Sequence, residues 1–158
     1  TYTPLATVTL GSSAASVTFS SIPATYRDLV LVGAPISSSG TNQSLVRFNS
    51  DATAANYPQI VMFGNGSTTG SFANTNAGVN FADAFASGAP MIGRLQVMDS
   101  SATDKHKTCL NRRDKSDDAT AATATRWANT APITSLSVVS SASTFAAGSR
   151  FDLYGVIA

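Results

Sequence analysis

The chain has 158 residues, a formal net charge of +1 and a charged fraction of 12%. This length is typical of one domain with a continuous core, and the weak, balanced charge argues against a nucleic-acid partner. Every acidic residue is Asp, and Lys is scarce beside Ser, Thr, Ala, Gly and Asn. Because this composition disfavours helices and suits strands and turns, we expect a single all-β domain over residues 1–158.

Alternating or continuous apolar runs predict about ten short strands. The first two, Leu5–Leu10 and Ser16–Phe19, flank Gly11-Ser12-Ser13 and predict a hairpin. The run Arg27–Gly33 has the unbroken apolar centre of an interior strand covered on both faces. The other runs are 44–49, 59–63, 91–98, 107–112, 123–127, 133–139 and 149–158. Since no helix-length segment intervenes, we predict an antiparallel two-sheet sandwich of jelly-roll type with about 8–10 strands.

Residues 64–90 have the weakest pattern in the chain. They consist mainly of Gly, Ser, Thr, Asn and Ala, with isolated aromatic residues at Phe72, Phe81 and Phe85. Uninterrupted loops of this length usually carry function or partner contacts. We therefore predict a long irregular loop region here. The alternative is a short helical turn at 81–85 that places both Phe rings on one face.

Cys109 is the only cysteine. A single cysteine rules out an internal disulfide and a metal site built from several cysteines. Its strand-like surroundings predict a small buried residue. No run approaches the roughly 20 apolar residues of a membrane span, and residues 1–10 lack the pattern of a secretory signal. We expect no membrane contact and no export.

About half of the charged side chains lie at 104–107 and 112–118, on either side of the strand that contains Cys109. Mixed charges at this density are typical of a solvated sheet edge that resists pairing with another sheet. The alternative is a salt-sensitive docking site for another protein.

The reactive side chains do not predict an enzyme. His106 is the only histidine and lies between two lysines, which favours an exposed ring over a Ser-His-Asp arrangement. A carboxylate pair for glycoside hydrolysis would need two residues from the set Asp28, Asp83, Asp99 and Asp152, and sequence spacing does not establish such a pair. We predict no catalytic, metal-binding or cofactor-binding residues.

Both ends of the chain carry distinctive strand and turn patterns. They are YTPLATVTLGSS at 2–13, VTFSSIPATYRDLVLV at 17–32 and GSRFDLYGV at 148–156. Together with the strand order between them, these segments resemble small structural proteins of tailed-bacteriophage virions, especially those of aquatic bacteria. The resemblance implies a jelly roll that assembles as a homo-oligomer, commonly a trimer, as a capsid decoration (cement) protein or a tail or fibre component. It carries over no catalytic residues.

We therefore predict a virion structural protein, assembled in the host cytoplasm, that binds and stabilises the major capsid protein lattice or contacts other virion proteins. Its small hydroxyl-bearing side chains and near-zero net charge suit dense packing of many copies. The predicted protein contacts are the N-terminal segment and the loop aromatic residues, namely Thr1, Tyr2, Thr3, Pro4, Phe72, Phe81 and Phe85.

An alternative function is host attachment by a carbohydrate-binding jelly-roll module on the tail or a fibre. Trp127 and Tyr57 would then stack on sugar rings. Against this, a lone Trp in a β-sandwich is more often a core or interface residue. A depolymerase fragment that uses Asp83 or Asp99 is a third hypothesis.

Overall fold

The computed structural model describes residues 1–88, 91–115 and 119–157, without the side chains of Ala84 and Lys115. Some predicted segments extend beyond the described residues. These are the loop region that ends at Pro90, the strand that ends at Ala158 and the charged cluster at 116–118. Within that part, the chain forms twelve strands and one turn of 3-10 helix at Ala54–Asn56. The strands are β1 Tyr2–Thr9, β2 Ser16–Phe19, β3 Asp28–Ala34, β4 Thr41–Phe48, β5 Pro58–Gly64, β6 Thr69–Thr75, β7 Val79–Ala86, β8 Met91–Met98, β9 Lys107–Lys115, β10 Thr120–Trp127, β11 Leu136–Ser140 and β12 Arg150–Val156.

The strands form two antiparallel sheets. The large sheet has eight strands in the order β1-β12-β3-β8-β9-β10-β5-β6, and the small sheet has four in the order β2-β11-β4-β7. Buried apolar side chains from both sheets form a common core between them. The prediction of an all-β, two-sheet sandwich is confirmed, with twelve strands in the described residues instead of about ten.

The predicted hairpin between the first two strands is wrong. β1 pairs with β12 in the large sheet, whereas β2 pairs with β11 in the small sheet. The chain crosses between the sheets at residues 10–15, where the Leu10 N–H donates to Ser149 O at 2.9 Å and the Ala14 N–H to Phe145 O at 3.0 Å. The Gly-Ser-Ser connection thus joins two sheets. β3 is interior as predicted, since it lies between β12 and β8.

The region predicted as an irregular loop contains two strands. β6 pairs with β5 at one end of the large sheet, and β7 pairs with β4 at one end of the small sheet. The alternative of a helical turn is also wrong, because Phe81 and Phe85 both belong to β7 and are fully buried. A spacing of four residues places two rings on one side of a strand as well as of a helix.

The two sheets approach closely where Phe81 of β7 lies over β3 and β8. A Cβ atom on Gly33 would lie 2.9 Å from Phe81 Cε1, and one on Gly93 would lie 3.0 Å from Phe81 Cζ. Gly33 and Gly93 are register partners in the large sheet. Because neither has a side chain, the ring contacts the backbone of the large sheet directly.

Candidate interaction surface

The two aromatic residues predicted to stack on sugar are fully buried. Trp127 Nε1 donates to Asp51 Oδ2 at 2.8 Å, and the Trp127 and Phe48 ring centroids are 5.5 Å apart. The Tyr57 hydroxyl donates to Asp51 O at 3.1 Å and accepts from the Phe48 N–H at 3.2 Å. Since neither ring has a face open to a ligand, the sugar-stacking assignment of Trp127 and Tyr57 is not compatible with the structure.

Asp51 links these buried rings to the connection between β4 and β5. Its Oδ2 also accepts from Asn56 Nδ2 at 2.8 Å, and its Oδ1 accepts from the Thr53 N–H at 2.9 Å. Burial alone would raise the pKa of Asp51, but these hydrogen bonds, led by the one from Trp127, lower it to about 2. The carboxylate is therefore ionised and has a structural function. Only the Asp-x-Thr spacing, which is typical of an Asx turn, marks it in the sequence.

Two of the predicted protein contacts are core residues. Phe81 lies over Gly33 and Gly93, as described above, and the Phe85 ring stacks on Phe145 with centroids 5.9 Å apart. Both side chains are fully buried. The assignment of Phe81 and Phe85 as partner contacts is therefore wrong for the folded chain.

The other predicted contacts are accessible but lie far apart. The exposed or half-buried N-terminal residues belong to the β1 side of the large sheet, whereas Phe72, which is 46% exposed, lies on β6 at its other end. The N-terminal residues are Thr1, Tyr2, Thr3 and Pro4. The structure therefore does not bring the two predicted sets into one contact surface.

A more extended surface covers the outer face of the large sheet, the side turned away from the small sheet. Neighbours along a strand point to opposite sides, so Leu110 lies on the outer face because Cys109 lies in the core. Ile60 shares the row of Leu110 through Ala124. Five large apolar side chains on this face, each 40–58% exposed, form what we call the apolar strip: Ile60, Met62, Ile92, Met98 and Leu110.

Small residues and arginines lie between the side chains of the apolar strip. Ala73 and Ala124 flank Ile60 in the register, and with Pro58 and Arg126 they line a shallow groove. Arg94 and Arg112 are register partners on the same face. Arg94 Nη2 donates to the Tyr2 hydroxyl at 2.9 Å, which holds this N-terminal ring over the outer face. Exposed apolar residues with Arg, Met and Tyr nearby are typical of protein interfaces.

Comparisons of the chain with protein-family models, with curated proteins and with solved structures found no match. Function is therefore inferred from the outer face of the large sheet and from the resemblance of the chain ends. In the described part of the chain, no helix has the length and hydropathy of a membrane span.

Asp83 and Asp99, which were considered for catalysis, each form an ion pair, and the two pairs involve different basic residues. Asp83 Oδ2 lies 3.6 Å from Arg113 Nη2, and Asp99 Oδ2 lies 3.9 Å from Lys105 Nζ. His106 is exposed. Among residues 1–88, 91–115 and 119–157, no group of three or more His, Cys, Asp or Glu side chains is placed to hold a metal ion.

Two basic side chains of the charged cluster are buried, which the sequence did not predict. Lys107 Nζ donates to three carbonyl oxygens, those of Ala102, Lys105 and Thr130, at 2.7, 3.1 and 3.0 Å. Burial lowers the pKa of Lys107. Arg113 Nη1 donates to Thr123 Oγ1 at 2.7 Å. These groups fix the ends of the strand that contains Cys109, whose predicted burial is confirmed.

Proposed function

We propose that this protein is a structural protein of a bacteriophage virion, a capsid decoration protein that binds and stabilises the major capsid lattice. The observation that carries the proposal is the apolar strip on the outer face of the large sheet. Large exposed apolar side chains gathered on one face of a sheet mark a site where another macromolecule docks. The resemblance of the chain ends supplies the class of partner, a virion protein.

We also propose that the sandwich is a jelly roll enlarged by two hairpins, β5–β6 and β9–β10. Setting these aside leaves the orders β1-β12-β3-β8 and β2-β11-β4-β7. The nested pairs β1–β12, β2–β11, β3–β8 and β4–β7 then belong alternately to the large and the small sheet. This alternation is expected when one long hairpin is rolled into a double-sheet jelly roll.

The two added hairpins support the docking role because they carry much of the apolar strip. Ile60 and Met62 lie on β5 and Leu110 on β9, whereas Ile92 and Met98 lie on β8 of the basic jelly roll. The hairpins widen the large sheet on one side only. Strands β5, β6, β9 and β10 therefore add area to the face that we propose contacts the lattice.

The copy number of this chain in the purified parent particle tests the proposal. We expect roughly one copy per major capsid subunit by quantitative mass spectrometry, because a symmetric lattice repeats each contact. A few tens of copies or fewer would contradict the capsid assignment and favour a tail or fibre location. The absence of the chain from the particle would overturn the virion assignment.

A binding assay tests the surface itself. The purified double variant Ile60→Ser and Leu110→Ser should lose most of its binding to particles that lack the protein, since both changes remove exposed apolar area from the strip. The matched control is Ile157→Ser, because Ile157 is equally exposed at 56% but follows β12, five strands away from β5. Equal loss of binding in both variants would contradict docking through the apolar strip.

A further inference from the structure

Three of the four sheet edges are protected from pairing with another strand. β1 contains Pro4 and has a register shift between Pro4 and Ala6, and proline and bulges both block strand addition. β2 spans only Ser16–Phe19, and short edge strands resist pairing. Backbone groups of β7 form hydrogen bonds with side chains of the large sheet, so they are not free to pair with another strand. Its Asn80 N–H donates to Gln59 Oε1 at 3.2 Å, and Asn111 Nδ2 donates to the Asn80 and Phe81 carbonyls, each at 2.9 Å.

The fourth edge, β6, has none of these protections. Its seven residues, TGSFANT, contain no proline and no charge. Apart from the ladder with β5, its backbone makes no hydrogen bond to another backbone group of the described residues. Soluble proteins rarely leave a long uncharged edge strand open, because it pairs with other chains.

We propose that β6 pairs with β6 of a second copy, antiparallel and about a twofold axis at Phe72. In this register Phe72 faces its own counterpart, Ser71 faces Ala73, and Thr69 faces Thr75. Each pair combines residues on the same face of the sheet, so inner residues meet inner ones and outer residues meet outer ones. The two large sheets then form one continuous sheet through the dimer.

The chemistry of the edge favours a second copy over an unrelated strand. An uncharged strand meets itself without the like-charge repulsion that usually prevents self-pairing. Phe63 lies across Gly70, where a Cβ atom would be 2.8 Å from its Cζ, and its ring centroid is 6.3 Å from that of Phe72. The twofold register would join these two rings to their counterparts in one aromatic cluster at the seam.

Sedimentation equilibrium of the purified full chain tests this pairing. We expect a reversible dimer, and Phe72→Lys should raise its dissociation constant by roughly tenfold or more, because the register would place two like charges directly opposite each other. Phe72→Asp should do the same. An equimolar mixture of the two variants should restore the dimer, since Lys then faces Asp, and this recovery cannot result from misfolding of either variant.

Tyr2→Lys is the control, because Tyr2 is a similarly exposed aromatic residue on β1, the opposite edge of the same sheet. It should leave the dissociation constant unchanged. A monomer, a trimer, a dimer broken by Tyr2→Lys instead of Phe72→Lys, or a failed recovery in the mixture would each overturn the pairing. The measurement uses the purified chain alone, so its result is separate from that of the particle assays.

Discussion

At the residue scale, Asp51 joins the connection between β4 and β5 to Trp127, which lies 76 residues further along the chain. Its carboxylate accepts from Trp127 on β10 and from Thr53 and Asn56 in the connection between β4 and β5. Its main-chain oxygen accepts from the Tyr57 hydroxyl. A hydrogen bond to an ionised group contributes about 1.5–3 kcal/mol to stability. Removing one partner is costly, because the other buried group is then left without a hydrogen bond. The carboxylate therefore stabilises the edge of the core near Trp127.

We predict that Asp51→Asn lowers the free energy of unfolding at neutral pH by about 1–3 kcal/mol. The folded pKa of Asp51, about 2, is below the ordinary value of 3.8. The ionised carboxylate therefore stabilises the fold above about pH 4 and loses this contribution of roughly 2 kcal/mol as the pH falls towards 2. The difference between wild type and variant should shrink over that range. Urea unfolding followed by Trp127 fluorescence measures it.

Asp104→Asn is the control for this series, since Asp104 is exposed. Its unfolding free energy should follow that of the wild type from neutral to acid pH. If Asp51→Asn shows the same pH dependence as the wild type, the low pKa of Asp51 does not contribute to the stability of the fold.

Residue burial was predictable only where the side chain is apolar. Cys109 lies in an apolar strand pattern and is buried as predicted. Lys107 lies among charged neighbours, which indicated exposure, but its ammonium group is enclosed by three carbonyl oxygens from the turns that flank β9 and β10. Those carbonyls come together only in the folded chain, so no local pattern could mark the site.

At the element scale, strands with apolar alternation were predicted and strands of small polar residues were not. β8 shows a regular buried and exposed alternation over most of its length, and the sequence locates it correctly. β6 has the composition of a turn region, and only its ladder with β5 makes it a strand. β7 was not predicted either, because the spacing of Phe81 and Phe85 fits both a helix and a strand. The edge strand β6, which we propose forms the dimer, could therefore not be predicted from the sequence.

Because Phe81 contacts the backbone of the large sheet at Gly33, we predict that a methyl group added there destabilises the fold. In Gly33→Ala the new Cβ would lie 2.8 Å from Phe151 Cδ1 and 2.9 Å from Phe81 Cε1, so both buried rings must shift. Overpacking of this kind lowers the free energy of unfolding by about 1–3 kcal/mol. The urea midpoint should fall accordingly.

Gly11→Ala is the matched control, because a Cβ atom there meets nothing within 4 Å. Its urea midpoint should stay the same or rise slightly, since alanine restricts the unfolded chain. Equal midpoints for the Gly33 and Gly11 variants would show that the two sheets can separate without cost at Phe81, contrary to the packing described here.

At the scale of the whole molecule, the order of the strands follows from pairs that are far apart in the chain. β1 pairs with β12 and β2 with β11, so the sequence predicted a sandwich from the number and spacing of strands but misassigned the first two as a hairpin. The apolar strip is also a product of this arrangement. Ile60, Ile92 and Leu110 lie in three separate segments, and only the register of the large sheet places them on one face.

The two proposed surfaces differ in charge, and this predicts a difference in their response to salt. β6 carries no charged residue, so the dimer dissociation constant should change by less than about twofold between low and high ionic strength. The apolar strip lies beside Arg94, Arg112 and Arg126. Binding to the particle should therefore weaken as salt screens these arginines from acidic groups of the partner. Sedimentation equilibrium and the particle-binding assay measure the two responses in matched buffers, and a strongly salt-sensitive dimer would mean that charged residues outside β6 form its interface.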